Sequence, residues 1–170
     1  NVFETVIWHD TDQTRGFEVN YLNPIIFFRP VDYAQGSPDN VLLGAGFKFK
    51  LTRNAHTYGQ LLLDEFRFAE ITAANGWWAN KFGLQWGLKS YHTFGIQGLT
   101  AQAEFNLVRP FTYSHQWSTQ NYAHHNQALA HPLGANFKEG LLLIDYQTEF
   151  WTFSQLLMVY QKGLNDTANW

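Results

Sequence analysis

From Phe82 to Lys89 the chain has a period of two: Phe82, Leu84, Trp86 and Leu88 are large and apolar, while Gly83, Gln85, Gly87 and Lys89 are glycine or polar. A strand with two unlike faces has this period, whereas an amphipathic helix repeats near 3.6. Leu99, Ala101, Ala103, Phe105 and Leu107 alternate in the same way with Thr100, Gln102, Glu104 and Asn106. So do Ala45, Phe47, Phe49 and Leu51 with Gly44, Gly46, Lys48 and Lys50. Further strands are expected over Val2 to Trp8, Thr57 to Phe68, Lys138 to Gln147 and Phe150 to Gln161. The apolar phase slips between Leu61/Leu63 and Phe66/Phe68, which predicts a bulge at Asp64-Glu65. Pro24, Pro30, Pro38, Pro110 and Pro132 all fall between these runs, where a residue without an N–H breaks no ladder.

The connections alternate in length. Thr52 to Ala55, Ser90 to Phe94 and Thr148-Glu149 are short, whereas Ala69 to Ala79 and Arg109 to Phe137 are long, and residues 20–40 form another long connection. In an up-and-down antiparallel sheet every second connection lies at the same end, so the long loops share one side. Strands of about 10 residues with one apolar face, short turns at one end and long loops at the other predict an all-β, antiparallel up-and-down transmembrane β-barrel over residues 1–170. Seven or eight strands could close alone only as the smallest class of barrel; because an open sheet in lipid would leave unpaired N–H and C=O groups on both edges, the chain is expected to be a segment of a larger barrel. A soluble β-barrel carrying a small apolar ligand has the same alternation with its apolar face turned inward.

Composition sharpens the choice. The 7 Trp, 8 Tyr and 15 Phe make 18% of the chain, against 15% charged residues, where an ordinary soluble domain is nearer a quarter charged. The net charge of -3 provides no basic footprint for a phosphate backbone, so nucleic acid is not an expected partner. With no cysteine, disulfides, zinc-thiolate sites and a cysteine nucleophile are excluded together. The longest unbroken apolar run, Leu156 to Tyr160, is far short of the roughly 20 residues a helical span needs.

Two groups of residues resemble a known family. Asn23-Pro24-Ile25-Ile26-Phe27-Phe28-Arg29-Pro30-Val31-Asp32-Tyr33, Gly36-Ser37-Pro38-Asp39-Asn40 and Leu62-Leu63-Asp64-Glu65-Phe66 resemble the Wzi-like capsule-assembly and gliding-motility outer-membrane proteins of Gram-negative bacteria. The segments Arg109 to His115 and Asn121 to Phe137 look like the most recognisable part of that family, and the resemblance covers most of residues 20–145. It implies a large barrel in the bacterial outer membrane, surrounded by lipid and binding or organising surface (capsular) polysaccharide. Relatives in gliding bacteria imply the alternative, a structural subunit of a secretion or motility complex whose partners are other envelope proteins.

The candidate chemistry is that of binding. His115, His124, His125 and His131 share the long loop, but only His124 and His125 are close, and adjacent residues on an extended chain point to opposite sides. Metal ligation is therefore not expected, and no cofactor is implied. Asp64 and Glu65 likewise diverge in a strand and cannot flank one glycosidic bond; pairing of Asp64 with Arg67 or Arg29 is the expected role. Ser114 beside His115 lacks a nucleophile elbow and an orienting acid, so no catalytic residue is assigned and the chain is not expected to be an enzyme. Aromatic rings among amide, imidazole and hydroxyl groups suit a sugar, whose C–H face stacks while its hydroxyls need partners. Trp77, Trp78, Tyr113, His115, Trp117, Tyr122, His124 and His125 are the expected ligand-binding residues.

Overall fold

The computed structural model describes residues 1–7, 40–64, 81–115, 118–125 and 127–163. Nine strands lie among them: β1 (Val2–Ile7), β2 (Asn40–Lys50), β3 (Ala55–Asp64), β4 (Lys81–Tyr91), β5 (Leu99–Val108), β6 (Ala123–His124), β7 (Gln127–Ala128), β8 (Phe137–Gln147) and β9 (Thr152–Lys162). Seven form one antiparallel sheet in the order β1-β2-β3-β4-β5-β8-β9, and β6 and β7 form a small hairpin within the long loop. Every strand of the main sheet pairs with its predecessor in that order, which is the expected up-and-down path. Among the described residues the sheet does not close on itself, and β1 and β9 are its two edges.

The register carries the sequence alternation across the sheet. Phe47, Gly59, Trp86, Phe105, Gly140 and Val159 are successive partners on one face. One position along, Lys48, Tyr58, Gly87, Glu104, Leu141 and Met158 are partners on the other. The first face is apolar and bare: Phe47, Leu61, Leu84, Trp86, Leu88, Phe105, Leu142, Leu157 and Val159 are all exposed. On this face the Trp86 indole N–H donates to Thr57 Oγ1 at 3.0 Å and that hydroxyl donates to the Gly87 carbonyl at 2.9 Å.

The opposite face is polar in its middle rows and apolar towards the long-loop end. There Leu42, Leu62, Val108, Tyr113 and Phe137 form the core, with Phe3, Ile7, Tyr122, Leu133 and Ala135 packed against it. The loop between Val108 and Phe137 supplies Tyr113, Tyr122, Leu133 and Ala135, so it folds over this face and leaves the other open.

Aromatic rings lie across glycines on neighbouring strands. Phe3, Phe47 and Tyr58 are the direct partners of Gly44, Gly59 and Gly87. A Cβ at Gly59 would stand 2.7 Å from the Phe47 ring, and one at Gly44 or Gly87 would overlap the facing ring outright. Missing side chains thus become seats for rings, which ties adjacent strands laterally.

The short turns are 51–54, 92–98 and 148–151, all at the end opposite the long connections. The second is longer than the sequence suggests, because β4 continues to Tyr91 and the turn then uses left-handed His92 and Phe94 as well as Gly95 and Gly98. Gly98, at φ 83°, accepts a hydrogen bond from Gln147 N–H at 3.0 Å, and a Cβ there would strike the Gln147 carbonyl oxygen. Adjacent turns are locked together at that point. β3 keeps an unbroken register from Ala55 to Asp64, and the expected bulge partner Glu65 and continuation to Phe68 lie outside the described residues.

Candidate functional site on the polar face

Period-two alternation brings hydrogen-bonding side chains of β3, β4, β5 and β8 together in the middle of the loop-covered face. Tyr58 donates its hydroxyl to Glu104 Oε2 at 2.5 Å and accepts from Gln102 Nε2 at 2.8 Å. Glu104 Oε1 accepts from Gln85 Nε2 at 3.1 Å and from Asn106 Nδ2 at 2.9 Å. The same Asn106 amide donates to Glu139 Oε2 at 2.9 Å, and His131 Nε2 lies 3.1 Å from that oxygen. Glu139 is buried, so an ionised carboxylate there relies on these two neighbours for solvation. Glu104 accepts on both oxygens, Glu139 accepts on Oε2 while its buried Oε1 has no hydrogen-bond partner among the described residues, and the Asn106 amide bridges the two carboxylates.

The loop is anchored by its backbone. Asp64 Oδ2 accepts from Tyr113 N–H at 2.7 Å, Lys81 Nζ donates to the Ser114 carbonyl at 2.7 Å, and Asn40 Nδ2 donates to the Gln120 carbonyl at 2.8 Å. The Tyr113 and Tyr122 rings lie 6.0 Å apart, and Tyr122 N–H donates to the Tyr113 carbonyl at 2.8 Å. Burial, with the charge of Asp64 and the Tyr122 phenol adding to it, pushes the Tyr113 hydroxyl up to about 12. That phenol stays neutral throughout the physiological range.

Between sheet and loop lies a cavity of about 260 Å³ lined by Tyr113, Tyr122, Leu129 and His131 on the loop side and by Gln60, Gln85 and Asn106 on the sheet. A second, of about 510 Å³, continues along the sheet past the loop and is lined by Lys48, His56, Tyr58, Gln60, Gln85 and Gln102. Gln60 and Gln85 belong to both, so the two form one trough, roofed at one end and open at the other. Amides, a phenol, an imidazole and an ammonium along such a trough can hydrogen-bond a polyhydroxylated chain.

Of the residues expected to bind ligand, Trp77, Trp78 and Trp117 lie outside the described residues. Tyr113 and Tyr122 come together as the roof, Tyr113 buried in the core and Tyr122 partly buried. His115 is half-buried and donates its backbone N–H to Asn121 Oδ1 at 2.8 Å. His124 and His125 are exposed at the β6–β7 hairpin. The expectation that they point apart is corrected: His125 is left-handed at φ 47°, and this turn brings the two rings to 4.2 Å, edge to face. Arg29 and Arg67, the expected partners of Asp64, lie outside the described residues; the loop N–H of Tyr113 occupies Oδ2.

Tyr58, Gln60, Gln85 and Gln102 are absent from the sequence-derived ligand set, although the polar phase of the alternation contains them. Protein-family models, curated proteins and solved structures were all compared with the chain, and none matches.

Proposed function

We propose that this chain is part of the wall of a bacterial outer-membrane β-barrel of the Wzi-like type, non-enzymatic, that binds or organises surface polysaccharide on its polar side. One observation carries the membrane half of this reading. A continuous apolar face is left bare across β2, β3, β4, β5, β8 and β9 while the long loop covers the polar face. Water-soluble domains rarely expose apolar patches beyond a few hundred Å², and a soluble carrier would have its loop and core on the apolar side. The strands of 10 or 11 residues between β2 and β9 match the 9–11 residues that cross a bilayer at a tilt of about 45°. The amide-lined trough supports the polysaccharide half.

The alternative, a structural subunit of a secretion or gliding-motility complex, draws on β9. It is exposed along its whole length and apolar on both faces, with Leu156 and Met158 on one and Leu157 and Val159 on the other. Such an edge suits further protein contact.

The test uses single cysteines in place of Leu84, Trp86 and Phe105 in this cysteine-free chain, with Gln85→Cys as the opposite-face control. A lipid-dissolved maleimide should label the first three and a water-soluble one should not. Labelling of all three by the water-soluble reagent in the folded protein would refute the membrane reading.

A further inference from the structure

We propose that the open end of the polar trough is a binding site for anionic carbohydrate, a polyhydroxylated chain carrying carboxylate groups. This rests on the polysaccharide reading above and specifies its charge. Lys50, His56 and Lys89 are successive partners in one row across β2, β3 and β4, and Lys48 lies one row nearer the roofed end beside Tyr58. Half of the six lysines in a chain of net charge -3 thus gather at the short-turn end of one face.

Like charges held together in this way repel, and among the described residues the Tyr91 ring, 5.4 Å from Lys89 Nζ, offsets one of them. Among the described residues, no ion pair involves Lys48, Lys50 or Lys89. The carboxylate in the neighbouring row, Glu104, is already occupied by Tyr58, Gln85 and Asn106. One cation over a ring leaves the mutual repulsion of the three lysines in place, and an anionic ligand turns that repulsion into attraction.

Carbohydrate rather than a simple anion follows from what surrounds the ammonium groups. Lys48 and His56 line the 510 Å³ cavity together with Gln60, Gln85 and Gln102, whose amides offer both donors and acceptors to hydroxyl groups. Asn1 occupies the space over Gly46 and the Tyr58 ring that over Gly87, where it is held by Glu104 and Gln102, so an amide and a phenol floor the cavity. Lys48 and Lys89 stand on strands two apart, about 10 Å by strand spacing. A ligand with charges repeating along its length can therefore engage both while its hydroxyls meet the amides between.

The experiment is titration of the full chain in detergent with oligogalacturonate, with a neutral dextran of similar length and with inorganic polyphosphate. Wild type, K48Q/K89Q and a control, Lys138→Gln on the apolar face, are compared after each is shown to keep the wild-type unfolding midpoint. Oligogalacturonate should bind with an affinity that falls as salt rises, and K48Q/K89Q should weaken it about tenfold, the size expected for two exposed ion pairs; Lys138→Gln should not. If dextran binds equally well and is unaffected by the double variant, the anionic specificity is overturned while the polysaccharide reading stands. Equal binding of polyphosphate overturns the carbohydrate part, and binding of none of the three overturns the site. Failure of the lipid-phase labelling is a separate result and strikes the membrane reading itself.

Discussion

Replacing Gly87 by alanine sets two effects against each other. On backbone grounds the change should help, because Gly87 is not among the left-handed glycines and alanine in a strand is about 0.5–1 kcal/mol better than glycine. Against this, the new Cβ overlaps the Tyr58 ring, which rests on Gly87 with its hydroxyl 2.5 Å from Glu104. The ring must leave its seat. Leaving breaks a hydrogen bond to a charged group, worth about 1.5–3 kcal/mol, and staying incurs overpacking strain of about 1–3 kcal/mol. The net expectation for Gly87→Ala is a loss of about 1–2 kcal/mol. In a Tyr58→Ala background the same change should be neutral or stabilising, because no ring remains to be displaced. Denaturant unfolding of the four proteins, closed as a double-mutant cycle, measures the coupling. Equal destabilisation by Gly87→Ala with and without the Tyr58 ring would refute the seat.

Two further changes probe other parts of the sheet. Trp86→Arg, on the bare apolar face, should cost about 2–4 kcal/mol near a bilayer midplane and prevent assembly, whereas Gln85→Arg on the polar face should be mild; outer-membrane fractionation and heat-dependent gel mobility read both, and equal tolerance of the two would contradict the assignment of faces. Asp64→Ala leaves the Tyr113 N–H without its acceptor, at about 1–3 kcal/mol, and should speed limited proteolysis between residues 109 and 136; an unchanged cleavage rate would show that the anchor is dispensable.

The strands with clean alternation were legible because both of their faces meet a uniform environment. β4 and β5 begin and end within about two residues of expectation. β2 starts four residues before the alternation does, at Asn40, because Val41-Leu42-Leu43 is apolar on both faces where the loop covers the sheet. Leu42 is core, Val41 and Leu43 are half-buried on the other face, and apolar residues on both sides erase the period. β9 is obscured for a related reason, since Leu156 and Met158 are apolar on the face that is polar in β3, β4 and β5.

The polar trough was harder to foresee. Tyr58, Gln85, Gln102 and Glu104 come from three strands, and only the register places them within hydrogen-bonding distance. Residue types chosen within the loops carry no such information. Tyr113 and Tyr122 stand out in the sequence as rings among polar neighbours, yet the side of the loop that meets the sheet is set by contacts with Asp64 and Gly83, which are distant in sequence.

The alternation of short and long connections also makes the hairpin the unit of construction. β2–β3, β4–β5 and β8–β9 each leave from the long-loop end, turn through at most seven residues and return to the end where they began. A hairpin can therefore be added or removed without reversing which face is apolar or which end bears the loops. An odd strand would do both to everything after it. The sheet is extensible in pairs, and growth by duplication of such a pair keeps trough, apolar face and loop end in phase however many strands the sheet contains.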